Sequence, residues 1–82
     1  PELRETAFRF GMFQRLDYML HIPISMMTKD NAFYMQVADY IHSNWRRAMK
    51  NRLLTKKNKV YLTLFAMSPR KTRVIHAKMR GL

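Results

Sequence analysis

Cysteine is absent from the 82 residues, glycine occurs only twice, and no acidic side chain lies beyond Asp39. Without cysteine there are no disulfides and no thiolate metal sites. His21, His42 and His76 are far apart and show no ligand spacing such as His-x₃-His. Two glycines, Gly11 and Gly81, are too few for a P-loop or a dinucleotide-binding turn. Ser25, Ser43 and Ser68 lack the Gly-x-Ser-x-Gly context of an activated nucleophile. Asp17, Asp30 and Asp39 read as helix caps or solvated surface, a routine use of acids at helix starts. His42, at the edge of an apolar stripe, reads as a packed or solvent-facing side chain. The expectation is a non-enzymatic protein with no cofactor and no metal.

Long hydrophobic runs are missing as well. The uncharged run over residues 60–68 in the C-terminal half is far short of the ~20 residues a helix needs to cross a bilayer. No transmembrane segment is expected. The N-terminus shows no charged-then-apolar signal peptide, and Glu2, Glu5 and Asp17 argue against an intact acid-poor transit peptide. The chain begins at Pro1, which fits initiator removal, cleavage of an import signal or a missing stretch. A mitochondrial matrix location is preferred on that basis, with the cytoplasm as the alternative.

What is present is charge of one sign. Over residues 1–39, four basic side chains stand against five acidic ones, giving −1; over residues 40–82, twelve stand against none, giving +12. A segment this one-sided repels itself unless a polyanion neutralises it. Yet 48% of the chain is apolar, too much for a disordered polybasic tail. Chains of about 60 residues bury only about 60% of their unfolded surface, so a domain of this size is marginal alone and gains from a partner.

Periodicity divides the chain. Leu3, Ala7, Phe8, Met12, Leu16, Met19 and Leu20 recur at spacings of three and four and predict a helix over 2–20, with Phe10 and Phe13 widening its apolar face. Glu5 and Arg9 stand in the favourable acid-first order for a surface pair, and Glu2 and Glu5 suit the start of the helix dipole. Gly11 costs about 1 kcal/mol in mid-helix relative to Ala and suggests close approach of another backbone. Residues 21–28, broken by Pro23 but containing Ile22, Ile24, Met26 and Met27, read as a connection lying across the core. Thr28 or Asp30 can then cap a second helix.

That second helix is expected over 30–54, about seven turns. Phe33, Val37, Tyr40, Ile41, Trp45, Ala48, Met49 and Leu53 form its stripe, opposite Gln36, Asp39, Ser43, Asn44, Arg46, Arg47, Lys50 and Asn51. Trp45 falls on the stripe and reads as core. Met12, Met19, Met35 and Met49 read as fillers of core or interface gaps, and Met35 with Ala32 and Phe33 offers a second contact face.

Beyond residue 55 two readings stand. Residues 60–65 have strand composition, and residues 72–78 could pair with them in a β-hairpin. The preferred version has helices near 57–67 and 69–80, because Ser68-Pro69 supplies an N-cap followed by proline at the first helical position and Gly81 a terminator. The expected fold is therefore mainly α. It comprises a helical hairpin core over 1–55 and a basic C-terminal extension over 56–82, helical or a β-hairpin, packing on partners.

The cations carry the functional reading. Arg46, Arg47, Lys50 and Arg52 lie beside an aromatic edge, Lys56, Lys57 and Lys59 extend the patch, and Arg70, Lys71, Arg73, Lys78 and Arg80 form a second cluster. Solvated faces normally mix signs, and this one does not. Arginine suits bidentate phosphate contacts and stacking, lysine compact charge. No zinc-finger spacing, KH glycine loop or RRM signature is present. In composition the chain resembles small ribosomal proteins, which are short, basic and poor in acids. That resemblance covers no aligned motif, and it implies a structural role on rRNA. The expectation is a structural subunit of a large ribonucleoprotein, a ribosome and in particular a mitochondrial one. Its twelve second-half cations would bind RNA phosphates, and the apolar and mixed surfaces of residues 1–41 would meet neighbouring proteins. The alternatives are a peripheral subunit of a mitochondrial membrane complex or a small DNA-binding module using residues 40–54 as a groove helix.

Overall fold

The computed structural model describes residues 2–80. It consists of α1 (Glu2–His21), a 3₁₀ turn (Ile24–Met26), α2 (Ala32–Ser43), α3 (Trp45–Lys50), α4 (Lys56–Met67) and α5 (Pro69–Met79), with no strand among the described residues. The protein is mainly α, and the β-hairpin alternative for the C-terminal segment is not formed. Gly81, the expected terminator, lies outside the described residues. Within them α5 ends at Arg80, whose N–H reaches His76 O and Ala77 O.

α1 buries Phe8, Met12, Leu16 and Met19, one face at spacings of four, four and three. Phe10 and Phe13 do not widen that face. They are 56% and 47% exposed and, with exposed Leu3 and Ala7, make a second apolar surface on the far side of the helix. Glu5 does not pair with Arg9; it accepts a hydrogen bond from Asn51. Gly11 is approached by a side chain and not by another backbone: a Cβ there would lie 3.1 Å from Arg15 Nη1. At the end of α1, His21 Nδ1 lies 2.8 Å from Asp17 O and 3.3 Å from Asp17 Oδ1, so this nitrogen carries the proton. In the connection Ile22 and Met27 are buried, whereas Met26 is exposed.

Neither Thr28 nor Asp30 caps the second helix. Asn31 does, accepting from Tyr34 N–H at 3.1 Å while its amide donates to Met26 O at 2.9 Å. The helix expected over 30–54 is two helices. Asn44 leaves helical geometry at φ −108°, ψ 12°, and both its backbone N–H and its side-chain Nδ2 converge on Tyr40 O. Side-chain competition for a backbone carbonyl is the way asparagine interrupts a helix. The buried phase continues through the break, with Tyr34, Val37, Ile41 and Ala48 at spacings of three, four and seven. Phe33 and Leu53, both expected on the stripe, are exposed, and Tyr34 and Leu54 are buried in their place. Met35 is exposed too, as are Ala32 and Phe33 of the second contact face.

α3 stops at Lys50 because Asn51 is extended. Its Oδ1 accepts from the N–H groups of Leu53 (2.8 Å) and Leu54 (3.2 Å), an Asx turn. Its Nδ2 donates to Glu5 Oε2 (2.8 Å) and Glu5 O (3.2 Å), across 46 residues of chain. Thr55 then caps α4 through Asn58 N–H. At the other end of α4, Ser68 occupies the N-cap position of α5 without a side-chain cap bond, and Pro69 follows at the first turn. The Thr72 hydroxyl lies 2.9 Å from Leu64 O and 2.8 Å from Ser68 O, tying the two helices together.

α4 packs on each of the other four helices, so the core is organised around it and not around a pair of long helices. Its Leu62 and Phe65 are 0% and 1% exposed, beside Met12, Leu16, Met19 and Ile41. The basic segment beyond residue 55 thus supplies two of the most buried side chains. Leu62→Ala should lower stability by about 2–5 kcal/mol, whereas Leu64→Ala, two positions away on the exposed side, should stay within about 0.5 kcal/mol. Asn51→Ala, which orphans two N–H groups in a buried turn, should cost about 2–3 kcal/mol. Urea unfolding curves at constant slope measure all three.

Candidate nucleic-acid interface

Of the twelve expected contact residues, ten are exposed: Arg46, Arg47, Lys50, Arg52, Lys56, Lys57, Arg70, Lys71, Lys78 and Arg80. Lys59 and Arg73 are partly covered. Among the described residues no lysine or arginine is paired with a carboxylate, and the one acid–base contact is His21 with Asp17. Glu2 and Glu5 line one pocket with Lys50 and Arg52 without pairing with either. Glu5 is engaged by Asn51, and no carboxylate side chain exists in α3, α4 or α5.

The helices set the cations in groups. Arg46 and Lys50 are one turn apart on α3, and Arg52 follows in the Asn51 turn. Lys56 and Lys57 open α4, and Arg70 and Lys71 open α5, with no acid in either first turn. Positive charge at the positive end of a helix is disfavoured, so these two pairs oppose the dipoles they sit on. An anion at either place relieves both terms.

Two of the expected residues also have structural tasks. Arg47 lies over the buried Phe8 ring, its guanidinium carbon 4.1 Å from the centroid. Arg73 Nε donates to Ile22 O at 3.0 Å and ties α5 to the residue after α1. Trp45 is half-buried, and its indole N–H donates to Thr63 Oγ1 at 2.8 Å, which holds the ring against α4. Thr63 in turn donates to Lys59 O. Tyr61 meets His76 edge to face at 5.8 Å.

His76 stands where cations from three helices converge. Its Nδ1 is buried with no hydrogen-bond partner. Burial first, then the charges of Arg73, Arg80, His21 and Lys57, push this imidazole below the usual histidine range. Tyr34, in the core of α2, is pushed up by burial and partly drawn back by nearby Arg70.

A feature that reading single helices did not reveal lies between α1 and α2. A cleft of about 490 Å³ is lined by Gln14, Arg15, Tyr18, Phe33, Asp39 and Tyr40, among others, and ends at Ser43 and Asn44. Its residues come from two helices separated by the connection. The only local signal is the Gly11–Arg15 spacing of one turn. Against protein-family models, curated proteins and solved structures alike, the chain finds no match.

The His76 arrangement has a pH consequence. A folded-state pKa below the unfolded value of about 6.5 means the folded chain binds fewer protons. The resulting stability is present above that value and is lost as pH falls through it toward the lowered pKa. The urea midpoint should therefore drop between about pH 7.5 and 5, and His76→Phe should flatten that part of the profile. An unchanged profile in a folded His76→Phe protein would assign the drop to other groups.

Proposed function

We propose that the protein is a non-enzymatic structural subunit of a large ribonucleoprotein, a ribosome and in particular a mitochondrial one. In this reading it holds RNA by its phosphates. The observation that carries the proposal is the unpaired state of the cations: ten of twelve are exposed and none has a carboxylate partner among the described residues. A face of one sign, with lysine and arginine pairs on two helix N-termini, repels itself in the free protein and is neutralised by a phosphate backbone. Contacts of this kind position the protein by backbone and shape.

The division near residue 55 is functional in this reading, with residues 56–82 and the Arg46–Arg52 stretch on RNA. Neighbouring proteins cover the near-neutral first half, where Leu3, Phe10, Phe13, Phe33 and Met35 leave apolar surface exposed. Patches of that type mark interaction sites more often than free surface.

A second reading has its own support. Val60, Leu64 and Met67 recur at spacings of four and three on the outer side of α4, with Ile75 and Met79 exposed on α5 and Lys56, Lys57, Lys71 and Lys78 nearby. An apolar stripe fringed by lysine also fits an anionic membrane surface, although among the described residues no helix is long and apolar enough to cross a membrane.

Binding of structured RNA across a salt series separates the two. The logarithmic salt slope should be about −0.7 to −0.9 per phosphate contact, and Arg46→Gln with Lys50→Gln should reduce its magnitude by about 1.4–1.8 without changing the unfolding midpoint. Tight binding to anionic vesicles with no salt-dependent RNA binding would replace this reading with the membrane one. Preference for duplex DNA over structured RNA at matched salt would replace it with a DNA-binding role.

A further inference from the structure

The α1–α2 cleft has the chemistry of a base site. At about 490 Å³ it falls in the size range of small-ligand pockets. Its walls are flat and π-rich. The Arg15 guanidinium lies on the Tyr40 ring, 3.7 Å from the centroid, and Tyr18 meets Phe33 edge to face at 4.9 Å. Arg15 is held in that position by α1 itself, since Nη1 donates to Gly11 O at 3.0 Å. The missing side chain at Gly11 leaves room for the fold-back, because a Cβ would stand 3.1 Å from Nη1. A side chain at this position would press the guanidinium by a few tenths of an ångström away from where it now lies.

The rim decides the ligand. Gln14, Gln36, Asp39 and Ser43 are exposed around the opening. The Asp39 carboxylate repels a phosphate, so the anionic part of a nucleotide is directed away from the cleft, while aromatic and guanidinium faces accept a base by stacking. A carboxylate accepts two N–H groups side by side. Guanine presents such a pair, N1–H and the N2 amino group, whereas adenine and cytosine offer only an amino group and uracil only one imide N–H. The amides of Gln14 and Gln36 are available as donors to the guanine O6. Beyond Ser43 and Asn44 the chain runs directly into Arg46 and Arg47, so a strand whose base enters the cleft carries its phosphates toward exposed cations.

We propose that the cleft between α1 and α2 binds an unpaired guanine base, with Asp39 reading its Watson–Crick edge and the Arg15 guanidinium, backed by Tyr40, providing the stacking surface. The proposal rests on the RNA reading for the source of the base, a strand and not a free nucleotide.

The test uses the full chain with two sets of probes, compared at matched salt across a salt series. One set is GMP, AMP, CMP and UMP, followed by chemical-shift changes at Tyr18 and Tyr40. The other is a uridine decamer carrying either one central guanine or one central adenine. The guanine strand should bind about tenfold more tightly than the adenine strand. Asp39→Asn should abolish that preference while leaving the salt slope and the unfolding midpoint unchanged. Tyr40→Leu, if folded, should weaken both strands. Salt-dependent binding of both strands with no guanine preference would overturn the cleft proposal and leave the RNA reading intact, as would a preference that survives Asp39→Asn. Binding of GMP over the other nucleotides without strand binding would keep the base site and overturn the RNA source. No binding of either probe set would overturn both.

Discussion

The buried amide of Asn51 is the contact on which the arrangement of the helices depends. Its two ends do different work. Oδ1 takes the N–H groups of Leu53 and Leu54 and so shapes the turn out of α3, while Nδ2 reaches Glu5 on the first turns of α1. Because the side chain is 3% exposed, each of these groups would be costly to leave unmade. The turn it closes buries Leu54 and sends α4 back across the other helices, where Leu62 and Phe65 complete the core. One of the five carboxylates is thereby used to anchor a turn.

That use of Glu5 sharpens the electrostatic picture. The second half of the chain has no acid of its own, and the first half lends it none among the described residues. Internal relief comes by weaker means. Arg47 rests on an aromatic ring and Arg73 on a backbone carbonyl, contacts that use the cation without neutralising it. His76 is held toward its neutral form by burial and by the charges of Arg73, Arg80 and Lys57 among others. The fold thus tolerates its charge by spreading it over α3, α4 and α5 and exposing it, an arrangement suited to a polyanionic partner of extended shape.

How much of this was legible in the sequence follows from what each signal measures. The core face of α1 was clear because Phe8, Met12, Leu16 and Met19 keep one phase for about three turns. The boundary at Ser68-Pro69 was clear because proline restricts the backbone regardless of tertiary context. The interruption at Asn44 was not, since the apolar pattern runs through it. What breaks the helix is a local hydrogen bond to Tyr40 O that competes with propagation. The same competition moved the cap from Asp30 to Asn31 and the end of α3 to Asn51. The cations were legible as a set, because formal charge needs no structure to be counted. The structural tasks of Arg47 and Arg73 were not, since Phe8 and Ile22 lie far away in sequence. The cleft was hidden for the same reason: Tyr18 and Tyr40 lie on helices far apart in sequence, and Tyr40 read as part of the apolar stripe of its own helix.

The distribution of methionine carries one more consequence. Met12 and Met19 are wholly enclosed, while Met26, Met35, Met67 and Met79 stand on the outer surfaces. Oxidation of thioethers follows access, and a sulfoxide turns a flexible apolar group into a polar one. Oxidants therefore reach the surface methionines first and spare the interior. The protein would keep its fold while Met67 and Met79 lost the apolar character of the α4 and α5 exterior. The apolar exterior of α4 and α5 is thus chemically more fragile than the core that keeps the chain folded.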